Sequence, residues 1–227
     1  MSELALRLIE ENKKTRATFL DLGNCGLTEV PAEIGELVWL EGLSFSYEWK
    51  EGNDWKKTLN IGSANNIKRL TTHVYNSRLS LWSVTEINPF DYLLNLKWLW
   101  IGGNFGKKFF LSDLTPLSSL SNLQLLSVEL TNVSDISPLE KLVNLKTLYI
   151  SFTSIDDLSP LKKVTNLQYL FAGQTEVADL SPVANLINLH TIDVSETKIS
   201  DLSSLKGLVR LQELYLGGTR IVDLQRF

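Results

Sequence analysis

A step of 22 residues governs the second half of the chain. The segments NLKTLYISFTSIDDLSPLKKVT, NLQYLFAGQTEVADLSPVANLI, NLHTIDVSETKISDLSSLKGLV and RLQELYLGGTRIVDLQRF begin at Asn144, Asn166, Asn188 and Arg210, and an earlier copy begins at Asn122. Asp113, Asp135, Asp157, Asp179, Asp201 and Asp223 keep the step, and so do Thr131, Thr153, Thr175, Thr197 and Thr219. A fixed period in this range marks stacked coils. One such unit is too short to bury its own apolar residues, so its neighbours must cover them.

Within a unit the pattern is L-x-x-L-x-L-x-x-T-x-I-x-D-L-S-P-L-x-x-L. Leu145, Leu148 and Ile150 alternate at the end of their run as a strand with one buried face does. Thr153 is expected to point inward and to satisfy backbone groups of neighbouring coils, which are costly to bury alone. Ser159-Pro160 predicts a helical turn, serine as N-cap and proline in the first position. Thr115-Pro116, Ser137-Pro138 and Ser181-Pro182 repeat the device, and Ser137 with Glu140 predicts a capping box. The aspartates form a ladder on one edge, about 4.8 Å per step, suited to capping turns. Paired catalytic carboxylates would face each other across a cleft, which a ladder does not supply.

This pattern resembles the leucine-rich repeat family in its short form, as in internalins and the regulatory repeat protein of protein phosphatase 1. The resemblance is specific over about half the chain. It implies an α/β fold: a right-handed solenoid, or horseshoe, with a parallel sheet on the concave side and short helical or 3-10 turns on the convex side. The chain then divides as one repeat domain over residues 1–227. Residues 1–16 form an N-terminal capping helix, 17–45 a first longer repeat, 46–95 an irregular repeat with an insertion, and 96–227 the regular repeats. Asn95 to Asn122 is 27 residues, so one regular coil holds a five-residue insertion around FGKKFF, with Asn104 in the threonine position.

Residues 2–15 read as an amphipathic helix, with Ser2 as N-cap and Leu4, Ala5, Leu8 and Ile9 on one face. Covering the end of the coil is the expected task; binding a partner is the alternative. In TFLDLGNCGLTEVPAEIGELVWLEGLSFS, Leu20, Leu22, Cys25 and Leu27 begin a coil in which Cys25 replaces threonine. It is expected to act as a small buried hydrophobe, since nothing electropositive stands near it to activate a thiol. From Leu40 to Leu96 the register is lost over 56 residues. Two coils with about a dozen extra residues, or one coil with a long insertion, both fit. Trp49, Trp55 and Trp82 fall here beside Lys50, Lys56 and Lys57. Insertions in solenoids often carry function; alternatively these rings tuck the loop onto the coil. The opening LIEENKKT and LDLGNCGLTEVPAEIGEL also resemble the start of bacterial repeat arrays that precede Roco-type GTPase domains. That resemblance implies a regulatory or dimerising role, though no GTPase motif occurs in this sequence.

Net charge is −4. Residues 1–110 hold 13 basic and 13 acidic residues, and residues 111–227 hold 9 and 13, so the regular array carries the excess. This weighs against nucleic acid, which requires a basic footprint. Cys25 is the only cysteine, so no internal disulfide is expected. No run approaches a membrane span, and MSELALRLIEENKK lacks the apolar core of a signal peptide. A cytoplasmic protein without membrane contact is expected. His73 and His190 are the only histidines, and no Cys/His cluster has metal spacing. Gly102-Gly103-Asn104-Phe105-Gly106-Lys107 departs from a phosphate loop in spacing and in Lys108, where serine or threonine belongs. No enzyme activity, cofactor or metal is expected.

The residues between the strand leucines point away from the core. One column is Trp100, Ser127, Tyr149, Phe171, Asp193 and Tyr215; a second is Trp98, Leu125, Thr147, Tyr169, Thr191 and Glu213. Beyond them stand Gly102, Glu129, Ser151, Gly173, Ser195 and Gly217, then Leu130, Phe152, Gln174 and Glu196. None of these positions holds lysine or arginine. Exposed apolar patches mark interaction sites, and Trp and Tyr are frequent hot spots. The expected function is a protein-protein interaction module. Its partner-binding residues are Trp98, Trp100, Tyr149, Phe152, Tyr169, Phe171, Asp193, Glu196, Glu213 and Tyr215, and its partner is a protein with basic and apolar surface. A carbohydrate-binding module is an alternative use of the aromatics. The sequence stops in mid-repeat at Phe227, which suggests a continuing chain or contact through an uncapped C-terminal end.

Overall fold

The structure is a computed structural model that describes residues 2–51, 54–76, 83–104 and 107–222. Trp82, Asp223, Phe227 and the Phe105-Gly106 pair lie outside the described residues, as does the side chain of His73. Eight short strands form one parallel sheet in the order β1-β2-β7-β8-β9-β10-β11-β12. They are β1 (Phe19–Asp21), β2 (Gly42–Ser44), β7 (Trp98–Trp100), β8 (Leu125–Ser127), β9 (Thr147–Tyr149), β10 (Tyr169–Phe171), β11 (Thr191–Asp193) and β12 (Glu213–Tyr215). Short 3-10 turns return each coil, among them Ala32–Glu36, Ser137–Lys141 and Ser159–Lys163. The fold is the expected α/β solenoid.

Stacking produces the core. Leu145, Leu148, Ile150, Ile155, Leu158, Leu161 and Val164 of one coil are all buried, and they join one apolar cluster that runs from Ala5 to Leu208. Helix α1 (Glu3–Thr15) begins at Ser2, whose hydroxyl accepts from the Ala5 N–H at 3.4 Å. Its Ala5 and Ile9 are buried against the first coil. Asn12 donates to the carbonyls of Ala17 and Phe19 and accepts from the Trp39 indole, tying helix to coil.

The ambiguity between Leu40 and Leu96 resolves in favour of one coil. Strand β2 pairs directly with β7, Gly42 opposite Trp98 and Ser44 opposite Trp100. The extra residues form two antiparallel hairpins. The first is β3 (Glu48–Glu51) with β4 (Asp54–Lys57); the second is β5 (Thr72–Asn76) with β6 (Ser83–Ile87). Between them, residues 63–70 run beside the first coil. Gly26 donates to Ser63, Asn66 to Leu27 and Lys68 to Thr28. Ile67 and Leu70 fill the core there.

Three local expectations need correction. The threonine hydroxyls bond within their own coil, not to a neighbouring one: Thr131 donates to the Val128 carbonyl at 2.6 Å, Thr153 to Ile150 at 2.7 Å and Thr175 to Ala172 at 2.7 Å. Each closes the turn that ends a strand. The serines are not N-caps, because they are the first residues of the 3-10 turns themselves. The aspartates cap instead: Asp135 accepts from the Ser137 N–H at 2.8 Å and Asp157 from Ser159 at 2.7 Å. No capping box forms at Ser137, since Glu140 reaches across the stack to Lys163 at 2.7 Å. Asn104, placed in the threonine position, pairs through its backbone with Lys107.

Candidate functional site

The strand register sets the expected columns side by side. Trp98, Leu125, Thr147, Tyr169, Thr191 and Glu213 form one row across the sheet, and Trp100, Ser127, Tyr149, Phe171, Asp193 and Tyr215 form the next. The first row begins further back, at Phe19 and Gly42. Gly42 is needed there, because an added Cβ would lie 2.6 Å from the Phe19 ring and 3.3 Å from Trp98.

Pointing away from the core does not leave every ring open. Trp98 and Tyr169 are each 39% exposed, and Glu213, Glu196 and Tyr215 are also exposed. Phe152, Phe171 and Asp193 are half-buried. Trp100 is only 4% and Tyr149 only 7% exposed. The expectation of open rings fails at these two positions because hairpin β3–β4 folds over them. Trp49 stacks obliquely on Phe19 with centroids 5.4 Å apart, and Phe19 stands 6.2 Å from Trp100. Trp55 meets Tyr149 edge-on at 6.4 Å, and Tyr149 stacks flat on Phe171 at 4.6 Å. Trp49 and Trp55 thus lay the hairpin on the sheet, as one of the two readings of the insertion has it.

The hairpin divides the face into two clefts. On one side a cleft of about 680 Å³ lies between Trp49, Lys50 and Glu51 and a floor that includes Trp98, Trp100, Tyr149, Tyr169 and Phe171. On the other a cleft of about 480 Å³ is lined by Glu48, Trp55, Glu129 and Phe152, among others. Burial pushes the Glu129 carboxyl up to about 7; a hydrogen bond from Ser151 opposes this, and the charge of Asp193 adds to it. Burial likewise lifts the Tyr149 phenol to about 12, with Glu129 adding to the effect. The site therefore holds an acid that titrates near neutrality inside an aromatic surround.

Cys25 is buried, and burial followed by the nearby Asp21 charge pushes its thiol up to about 12. That keeps it protonated and inert, in keeping with its packing role. Among the described residues no group of three or more His, Cys, Asp or Glu could hold a metal, and no helix is long and apolar enough to cross a membrane.

Sequence reasoning missed two sets of residues that hold this site in place. Asn65, from the insertion, is buried in the first two coils. Its Oδ1 accepts from the N–H groups of Cys25 and Leu27, and its Nδ2 donates to the carbonyls of Leu22 and Phe45. The second set is a ladder of asparagines. Asn122, Asn144, Asn166 and Asn188 donate to carbonyls of the preceding coil, at Leu94, Ser121, Val143 and Thr165. The step of 22 contained the signal for these; nothing periodic announced Asn65.

Comparison with known proteins agrees with this architecture. The family description "Leucine Rich repeats (2 copies)" matches residues 121–163 and again residues 165–207. The solved internalin C2 of Listeria monocytogenes is 24% identical, with a TM-score of 0.75 over 99% of this chain and 88% of its own. An internalin (inlF) of the same organism is 27% identical, with a TM-score of 0.70 over 95% of this chain and 52% of its own. A leucine-rich-repeat protein of Leptospira interrogans is 21% identical, with a TM-score of 0.55 over 87% of this chain and 54% of its own. The chain thus spans about half the length of the latter two. No curated protein sequence matches it.

Proposed function

The chain is a leucine-rich-repeat protein, and from that premise we propose that it is a binding module without chemistry of its own, gripping a protein partner on the sheet face. One observation carries this. Two adjoining rows, Trp98 to Glu213 and Trp100 to Tyr215, keep Trp98, Tyr169 and Tyr215 open, with acidic residues at their β11–β12 end and no lysine or arginine in either. A protein surface that is apolar in one part and basic in another complements such a face. Leucine-rich repeats are a fold typical of protein-protein interaction modules, which supports a protein as the occupant.

The open and half-buried rings, not the fully buried ones, are the residues to remove. Affinity capture from lysate of the source cell should retain a protein on the wild type and lose it on a Tyr169/Phe171/Tyr215 triple alanine of unchanged melting temperature. Equal retention on both overturns the assignment of the face. Elution by simple sugars would instead support a carbohydrate ligand, and retention of a GTPase would support the regulatory role implied by the opening stretch.

A further inference from the structure

Given the binding face proposed above, we further propose that hairpin β3–β4 converts the N-terminal half of that face into a slot for an extended segment of the partner, apolar or aromatic beneath the hairpin and basic beyond it.

Access comes first. Trp100 and Tyr149 are 4% and 7% exposed, so a flat or convex surface cannot reach them. A single strand of chain can enter, because the cleft beneath the hairpin measures about 680 Å³ and opens beside Trp98 and Tyr169. Those two rings stand on β7 and β10, three strand steps apart. At about 4.8 Å per step that is roughly 14 Å, the reach of about four extended residues.

The hairpin stands as a wall between the two clefts rather than as a core layer, with Trp49 and Trp55 on its opposite faces. All four residues of β4 are exposed, and Trp55 remains 56% exposed although it faces Tyr149. It carries two ion pairs of its own, Lys57 to Glu48 at 3.3 Å and Lys56 to Glu51 at 3.8 Å. Its base is fixed where the Thr58 hydroxyl donates to Asp21 at 2.7 Å. Beneath it the Trp100 indole N–H is buried with no acceptor, a costly state for a donor.

Charge fixes the rest. At the mouth of the slot stand Lys50 and Glu51, of which Glu51 pairs with Lys56. Past Tyr169 and Phe171 the next strands present Asp193 and then Glu213, with Glu129 to one side. A segment that leaves the slot in this direction meets carboxylates and no cation in either column, so its basic residues belong there.

The test uses the full chain, immobilised, and a pool of capped hexapeptides. The first four positions are drawn from leucine, phenylalanine and tryptophan, and the last two are arginine; a matched pool ends in glutamate. The arginine pool should be retained at least tenfold over the glutamate pool. Trp49→Ala, which removes a wall ring, and Tyr169→Ala, which removes a floor ring, should each reduce retention about tenfold with melting temperature unchanged. Asp193→Asn with Glu213→Gln should bring the two pools within twofold of each other. Equal retention of both pools by the wild type, no retention of either, or full retention by Trp49→Ala would each overturn the slot. A folded partner lost from the Tyr169/Phe171/Tyr215 variant while neither pool binds would overturn the slot alone and leave the face standing. Failure of both experiments removes both.

Discussion

The coil from Leu40 to Leu96 and the coil from Leu145 to Leu167 present strands to the same sheet, yet they are closed by different means. The later coil uses short-range devices that recur every 22 residues: Thr153 closes the strand's turn, Asp157 caps the 3-10 return and Asn166 ties back to the preceding coil at Val143. The earlier coil lacks that set. Its Asn65, which lies 40 residues from Cys25 in sequence, satisfies four backbone groups, at Leu22, Cys25 and Leu27 of the preceding coil and at its own Phe45, and it carries two hairpins in place of a plain return. The difference teaches where individuality can be placed in a repeated fold. Regular coils set the pitch of the sheet, and the irregular coil decides what the sheet shows.

Substitutions can break this contrast. Asn65→Ala should have the largest effect. It strands two N–H groups and two carbonyls inside the fold, at a cost of roughly 4 kcal/mol or more, read as a large fall in urea midpoint. A loss below about 1 kcal/mol would mean that the early coil closes without it.

The next effect depends on pH and lies where the two regions meet, at Glu129 on β8's coil beneath the hairpin. Its carboxyl has an ordinary value of 4.5 and is raised to about 7 in the fold. Between those values the folded chain holds the proton more tightly than the unfolded one. The stabilisation is therefore complete below pH 4.5 and is lost as pH rises through 7, by on the order of 3 kcal/mol. Glu129→Gln should flatten the stability-pH profile across that window. A variant whose profile still parallels the wild type would place the titration elsewhere. Binding of a basic segment should also strengthen as pH rises through 7, because the carboxylate is then charged.

Smaller effects belong to the regular array. Asp157→Ala removes the acceptor of the Ser159 N–H and should cost about 1 kcal/mol, as a lost cap does. Thermal unfolding would check it, and the contrast with Asn65→Ala is the comparison made quantitative. Smallest is Gln174→Gly. Leu130, Phe152, Gln174 and Glu196 all have φ between 53° and 59°, a region that favours glycine. The exposed Gln174 is the safest to change, and relief of its backbone should stabilise by about 0.5 kcal/mol. A destabilised variant would show that the side chain contributes more than the backbone loses.

The regular half was legible because each of its devices repeats, so a residue's place in the period announced its task. The period alone gives Leu148 a face, Thr153 a loop and Asp157 a cap. It does not give Thr153 its partner, Ile150, since periodicity locates a hydroxyl without saying which carbonyl lies nearest. At Trp100 and Tyr149 strand alternation indicated the face correctly but could not indicate its cover. The hairpin that covers them pairs residues only a few positions apart, and its docking depends on ring contacts with Phe19 and Tyr149 that no local pattern encodes. Asn65 was invisible for the same reason: its four bonds reach residues 20 to 43 positions away.

The placement of both hairpins within a single coil also bears on how such a chain can change over generations. The strand residues that floor the larger cleft beside β3–β4 come from β1 and from β7 to β10. A coil duplicated or lost between β11 and β12 would lengthen or shorten the array without touching that chamber. Reach and grip are thus separately heritable: the tail of the array is free to count, while the one irregular coil keeps the lock.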